Sequence, residues 1–351
     1  MRRHAVFVLG LAAVTTAAAT KTAATKTAAT KTTATKKADE ARWPPLGLPE
    51  PPAPADNPQT PEKIALGRQL FFDTRLSKSG TMGCVTCHLP EKGWADGKAL
   101  SKKDDGTMNT RHTPTLLNVA YNTTFYWDGR APTLEKQIFA AWKSQMGVAD
   151  DKTAAEIATK LGAVAGYKDA FAKVFGGAPT SDDVVKALAA FTRTLVSGNS
   201  AYDRAEAGQA KAYTPAQKRG AELFKTKAKC SLCHAGFALT AWEFKNIGIG
   251  MDKPSPDPGR GKIDASDPKL IGAFKVPSLR SVSKSAPYMH DGRFNTLAEV
   301  VDYFEKPIDN PHLDEKIKGG VSLTAAEKKD LIELLKALDG SQPDGARPKL
   351  P

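Results

Sequence analysis

The apolar positions of this chain fall into four segments of helical period, separated by long stretches with no regular repeat. Two of them, TPEKIALGRQLF (60–71) and TPAQKRGAELF (214–224), open on Thr-Pro and close on Leu-Phe. A threonine can cap a helix, and proline is tolerated in the first turn because its missing N–H has no intrahelical partner there. The other two, SDDVVKALAAFTRTLVSG and TAAEKKDLIELLKALDG, carry apolar residues at helix spacing. The N-terminus follows a different pattern. AVFVLGLAAV is continuously apolar but too short to span a bilayer, with Arg2 and Arg3 before it and TTAAAT after it. That order predicts an export signal over 1–24. The tandem TKTAATKTAATKTTATKK has no periodic apolar face and cannot bury enough surface to offset ordering. With PPLGLPEPPAPADNP it predicts a spacer over 25–58, flexible first and stiffer where proline dominates.

The pairing of segments extends into the loops. TPTLLNVAYNTTFYWDGRAPTLEKQ (113–137) aligns without a gap on VPSLRSVSKSAPYMHDGRFNTLAEV (276–300), and Trp127 falls opposite His290. The expected architecture is therefore mainly α: a duplicated domain, with halves at 59–208 and 209–351 and long loops between short helices.

Charge changes this picture little. The net charge is +12, but Arg2, Arg3, Lys21, Lys26, Lys31, Lys36 and Lys37 all precede residue 38, and removing those seven leaves +5. No stripe of Lys and Arg interleaved with aromatics appears, so nucleic-acid binding is not expected.

The cysteines change it greatly. There are four, in GCVTCH and KCSLCH, so that Cys84 and Cys87 precede His88 while Cys230 and Cys233 precede His234. A zinc site would need the two Cys-x-x-Cys pairs close in sequence, whereas Cys87 and Cys230 are 143 positions apart. Covalent haem explains all six residues. Two thiols add to the two vinyl groups of one haem, and the next histidine ligates the iron from below. Two c-type haems are expected, in an exported and hence periplasmic protein.

With two Cys-x-x-Cys-His motifs and two Asp-Gly-Arg blocks, the chain resembles the bacterial dihaem cytochrome c peroxidase/MauG family from about residue 59 onward. The resemblance implies a peroxidatic haem on His88 and an electron-transfer haem on His234. It makes Trp127 the inter-haem tryptophan and Gln137 a distal-pocket glutamine. The family usually places a glutamate before Met-Gly as proton shuttle, but KSQMG puts Gln145 there. An amide does not exchange protons as a carboxyl does.

Other positions depart from the family pattern. Relatives that need reductive activation carry a capping histidine in the loop matching 98–111, where this chain has none; Met108 is the alternative cap. His112 occupies the place of an asparagine that helps bind calcium, while Ser285 and Pro287 match the rest of that ligand stretch, so calcium is expected only in weakened form. The sixth ligand of the second haem is assigned to Tyr303, with Met251 and Met289 as alternatives. Trp94 is expected to line the first haem, a radical role being the sharper alternative.

The resemblance implies a periplasmic peroxidase. It would reduce hydrogen peroxide to water with electrons from a small donor protein, a cytochrome c or cupredoxin. The first haem would be open without prior reduction, and a state with both haems at Fe(IV) is one route. A MauG-like oxidase of a partner protein's side chains and a non-catalytic electron-transfer cytochrome are the rivals. A homodimer is the family's expected assembly.

Overall fold

The computed structural model describes Met1 and residues 42–209 and 211–351. The expected signal, Met1 aside, and the tandem part of the spacer lie outside the described residues.

Residues 44–351 pack as one compact, mainly helical unit. Its α-helices are α1 (Pro61–Phe72), α2 (Leu134–Gln145), α3 (Asp151–Gly162), α4 (Ala165–Phe175), α5 (Ser181–Thr192), α6 (Ala201–Glu206), α7 (Pro215–Lys225), α8 (Leu297–Tyr303) and α9 (Ala325–Ala337). Two short strands, β1 (Phe244–Lys245) and β2 (Phe274–Lys275), pair antiparallel.

The four segments of helical period form α1, α7, α5 and α9. Thr60 and Thr214 cap as their sequences predict, each hydroxyl accepting a backbone N–H one turn on. α1 packs on α5, and α7 packs on α9, giving one packed pair per half. Each pair buries its own apolar cluster. Leu66, Leu70 and Phe71 meet Leu188 and Phe191 in one; Phe224 meets Leu331, Leu334 and Leu335 in the other. A glycine sets both approaches: a β-carbon on Gly67 would overlap the Ala187 carbonyl, and one on Gly220 the Asp330 carbonyl. Each of these glycines stands three residues before its Leu-Phe.

The duplication is equally visible in the loops. Left-handed backbone at Asn118, Tyr126 and Gly129 recurs at Ser281, Met289 and Gly292. The bridge between Phe125 and Ala131 recurs between Tyr288 and Phe294. α3 and α4 have no counterpart among the described residues of the second half.

The proline-rich stretch, expected as a stiff spacer, is instead laid across the body. The N–H of Leu46 donates to Asn199 Oδ1 at 2.7 Å, and the Leu46 carbonyl accepts from Asn199 N at 2.9 Å. The Pro49 carbonyl accepts from the Tyr121 hydroxyl at 2.7 Å. The stretch closes two turns of its own, Leu48 N to the Pro45 carbonyl and Asn57 N to the Pro54 carbonyl, and N–H and C=O groups left over take partners from the surface they meet. Arg280, in the second half, supplies another by donating to the Gly47 carbonyl at 3.0 Å. The chain's other end crosses back as well, with Arg68 donating to Asp344 at 2.6 Å and to the Ala346 carbonyl at 2.7 Å.

Candidate functional site

Both Cys-x-x-Cys-His motifs fold alike. Cys84–Thr86 and Cys230–Leu232 are single 3₁₀ turns, and the N–H of each following histidine donates to the first cysteine's carbonyl at 3.0 Å. The turn brings two thiols and one imidazole together on a short arc. Burial raises the Cys84 and Cys230 thiols to about 12, and the four cysteines form no disulfide.

The histidine rings are held in the same way. His88 Nδ1–H donates to the Trp94 carbonyl at 3.0 Å, and His234 Nδ1–H to the Leu239 carbonyl at 3.2 Å. Trp94 and Leu239 both have left-handed backbone, which turns these carbonyls toward the rings. Fixing Nδ1 as the donor leaves Nε2 as the lone-pair nitrogen, the tautomer an iron ligand needs. Burial lowers the pKa of His88 and pushes that of His234 down to about 4, so both rings are neutral at pH 7.

Beside His88 lies a cavity of about 570 Å3, within the range of cofactor sites. Cys84, Cys87 and His88 form part of its wall, with Gln137, Gln145 and Trp127 on it as well. The Gln145 Oε1 is buried with no hydrogen-bond partner, while its amide nitrogen reaches Ser144 Oγ at 3.0 Å. Two thiols, a neutral imidazole with a free Nε2, and a largely apolar wall with one orphaned polar atom, Gln145 Oε1, fit a covalently attached haem.

The junction between the halves runs past this cavity. Trp127 Nε1–H donates to the His112 carbonyl at 2.8 Å, and the His112 N–H donates to the His290 carbonyl at 2.7 Å. Trp127 and His290, equivalent positions in the sequence repeat, are thus linked through the backbone of His112. His290 in turn stacks on Phe274, centroids 3.7 Å apart. The Trp127 carbonyl accepts from Lys275 N at 2.8 Å. Arg111 ties Asp128 of the first half to Asp257 of the second, at 2.6 and 2.7 Å.

Several expected site residues lie elsewhere. Trp94 is fully buried among Phe71 and Phe191, so it acts on the first site through its carbonyl and its indole does not line the cavity. Met108 is 52% exposed and off the cavity wall; the same loop contributes Lys103, Asn109, Thr110 and Arg111 instead. His112 lines the cavity, with Nδ1 on the Lys98 carbonyl at 2.8 Å. Ser285 ends the 3₁₀ turn of Val282–Lys284 and Pro287 follows two residues later; among the described residues no group of three His, Cys, Asp or Glu side chains forms a metal cage. The Tyr303 hydroxyl donates to the Ile247 carbonyl at 2.6 Å and accepts from Ile308 N at 3.2 Å. Ligation by Tyr303 would require giving up the Ile247 bond. Met251 packs over Gly272, and Met289 takes left-handed backbone beside His290. Sequence reasoning missed Lys275 and Tyr126, which also line the first cavity. Lys275 carried no motif. Tyr126 carries no sequence signal beyond its place before Trp127, and its left-handed backbone is visible only in the structure.

No helix among the described residues is long and apolar enough to cross a membrane. The family model for di-haem cytochrome c peroxidase matches residues 61–211. The methylamine utilization protein MauG of Methylophilus methylotrophus is 38% identical over 86% of this chain and 89% of its own. Cytochrome-c peroxidase IdrP1 of Pseudomonas sp. (strain SCT) is 37% identical over 86% of this chain and 87% of its own. Among solved structures, a MauG-like protein associated with microbial copper homeostasis superposes with a TM-score of 0.77 at 34% identity, over 85% of this chain and 95% of that one.

Proposed function

This chain belongs to the di-haem cytochrome c peroxidase/MauG family and carries two c-type haems, and from that premise we propose that it reduces hydrogen peroxide at the His88 site, open at rest, with electrons from a small donor protein. The observation that carries this reading is the cavity beside His88. The 98–111 loop gives its wall a lysine, an asparagine, a threonine and an arginine, while its one methionine, Met108, turns to solvent.

Bound haem supplies the iron chemistry that splits the O–O bond, two electrons and two protons converting one peroxide into two waters. The chain's residues set the conditions. Cys84 and Cys87 would anchor the group, and the Trp94 carbonyl holds the His88 ring whose Nε2 would ligate its iron. Gln137 and Gln145 offer amides that orient the peroxide oxygens. The second site is built from Cys230, Cys233 and His234. Trp127, fixed at both its indole nitrogen and its carbonyl, carries charge across the junction of the halves. Residues 59–208 and 209–351 serve as the peroxidatic and electron-transfer domains, and the protein works in the periplasm.

The test is steady-state peroxide consumption with excess reduced cytochrome c. Many turnovers, with cytochrome oxidised two per peroxide, are the expected result. Consumption that stops after about one equivalent, and resumes only when a second protein is added and modified, would overturn the reading in favour of side-chain oxidation of a partner.

A further inference from the structure

Lys275 sits on β2, in the second half of the chain, yet it lines the first cavity. Its backbone N–H holds the Trp127 carbonyl, and its Nζ donates to the Thr124 carbonyl at 2.7 Å. That neutral carbonyl is its one hydrogen-bonding partner in the described residues, and no carboxylate pairs with it. Arg111 and Arg130, the guanidiniums of the same wall, are already taken up by Asp128 and Asp257. Burial acts on Lys275 with no compensating charge and pushes its pKa down to about 8. Next to it the Thr124 hydroxyl is buried and without a hydrogen-bond partner. A desolvated ammonium beside a cavity, with no carboxylate paired to it among the described residues, is costly unless the cavity's occupant brings the counter-charge.

Haem brings such a charge in its two propionate carboxylates. We propose that Lys275 is a cofactor-binding residue of the first site, its ammonium pairing with a propionate of the haem anchored at Cys84 and Cys87. One residue of the second half would then neutralise the haem of the first half while its own backbone fixes Trp127. A positive charge at a propionate favours the reduced haem, so the pairing raises the first haem's potential. The inference rests on haem attachment at Cys84–His88 and not on the peroxidase reading, and its readout is independent of turnover.

The experiment is a redox titration of the full protein, followed by EPR so that the two ferric haems are resolved. Lys275→Gln keeps an N–H for the Thr124 carbonyl but removes the charge; Lys275→Arg keeps the charge. In Lys275→Gln the reduction equilibrium of the first haem is expected to shift about tenfold toward the oxidised form, 59 mV for one electron. The second haem should move less, and Lys275→Arg should stay near the parent. Loss of one haem per chain in Lys275→Gln but not in Lys275→Arg, read by pyridine haemochrome, would support the same assignment. A first-haem potential in Lys275→Gln equal to the parent's, with both haems retained, would overturn it and reduce Lys275 to a tether between the halves.

Discussion

Replacing Gln145 by glutamate is expected to speed the reaction of the oxidised protein with peroxide by roughly 10²-fold, the lower range of what a positioned general acid–base contributes. Gln145 ends α2, on the wall of the first cavity, with its Oε1 buried and unpartnered. Breaking the peroxide O–O bond requires a proton to move from the inner to the outer oxygen, and an amide cannot lend one. Among the described residues of that wall the one carboxylate is Asp128, held by Arg111 and Arg130. Both guanidiniums favour its ionised form, so it is a poor proton donor. A glutamate at position 145 would sit at a helix C-terminus, where the negative end of the helix dipole raises its pKa and makes it a readier proton donor than an ordinary carboxylate. Stopped-flow measurement of peroxide loss in Gln145→Glu and the parent decides the matter. Equal rates would mean that protons already reach the site by another route.

Arg280→Met is expected to destabilise the protein by about 3–5 kcal/mol, the usual cost of leaving one member of a buried ion pair behind. The side chains of Arg280 and Asp203 are each 1% exposed and meet in a two-pronged pair at 2.7 and 2.9 Å. Arg280 also donates to the carbonyls of Gly47 and Phe237. One guanidinium therefore joins the proline-rich strap, α6 and the loop beyond the second haem motif. Methionine fills a similar volume but strands the Asp203 carboxylate and two carbonyls without their donor. A fall of roughly 10 °C in the thermal midpoint, followed by circular dichroism, is the expected reading. Adding Asp203→Asn should restore part of the loss, because the two residues act as a unit. A midpoint unchanged in Arg280→Met would show that water already reaches the pair.

The elements with a strong local signature were legible before the structure. Thr-Pro starts, helical spacing and the two Cys-x-x-Cys-His motifs predicted α1, α7, α5, α9 and the haem turns. The ungapped repeat predicted matching loops, which the recurring left-handed positions and bridges bear out. What stayed hidden was long-range. Gly67 and Gly220 read as ordinary helix residues until their partner helices were in place. The proline-rich stretch read as a spacer because its partners, Asn199, Tyr121 and Arg280, lie 72 or more positions away. Trp94 read as a wall aromatic, whereas its backbone carbonyl is what touches the site. Lys275 crosses from one half to the other, which no local pattern records.

The resting state of the His88 site is the centre of the account. One equivalent of hydrogen peroxide added to the fully oxidised protein, with no reductant present, tests it directly by haem absorption and residual peroxide. An immediate spectral change, with the peroxide gone before any electron donor is added, is what an open first site predicts. A spectrum and a peroxide level that stay unchanged until one haem has been reduced would contradict it.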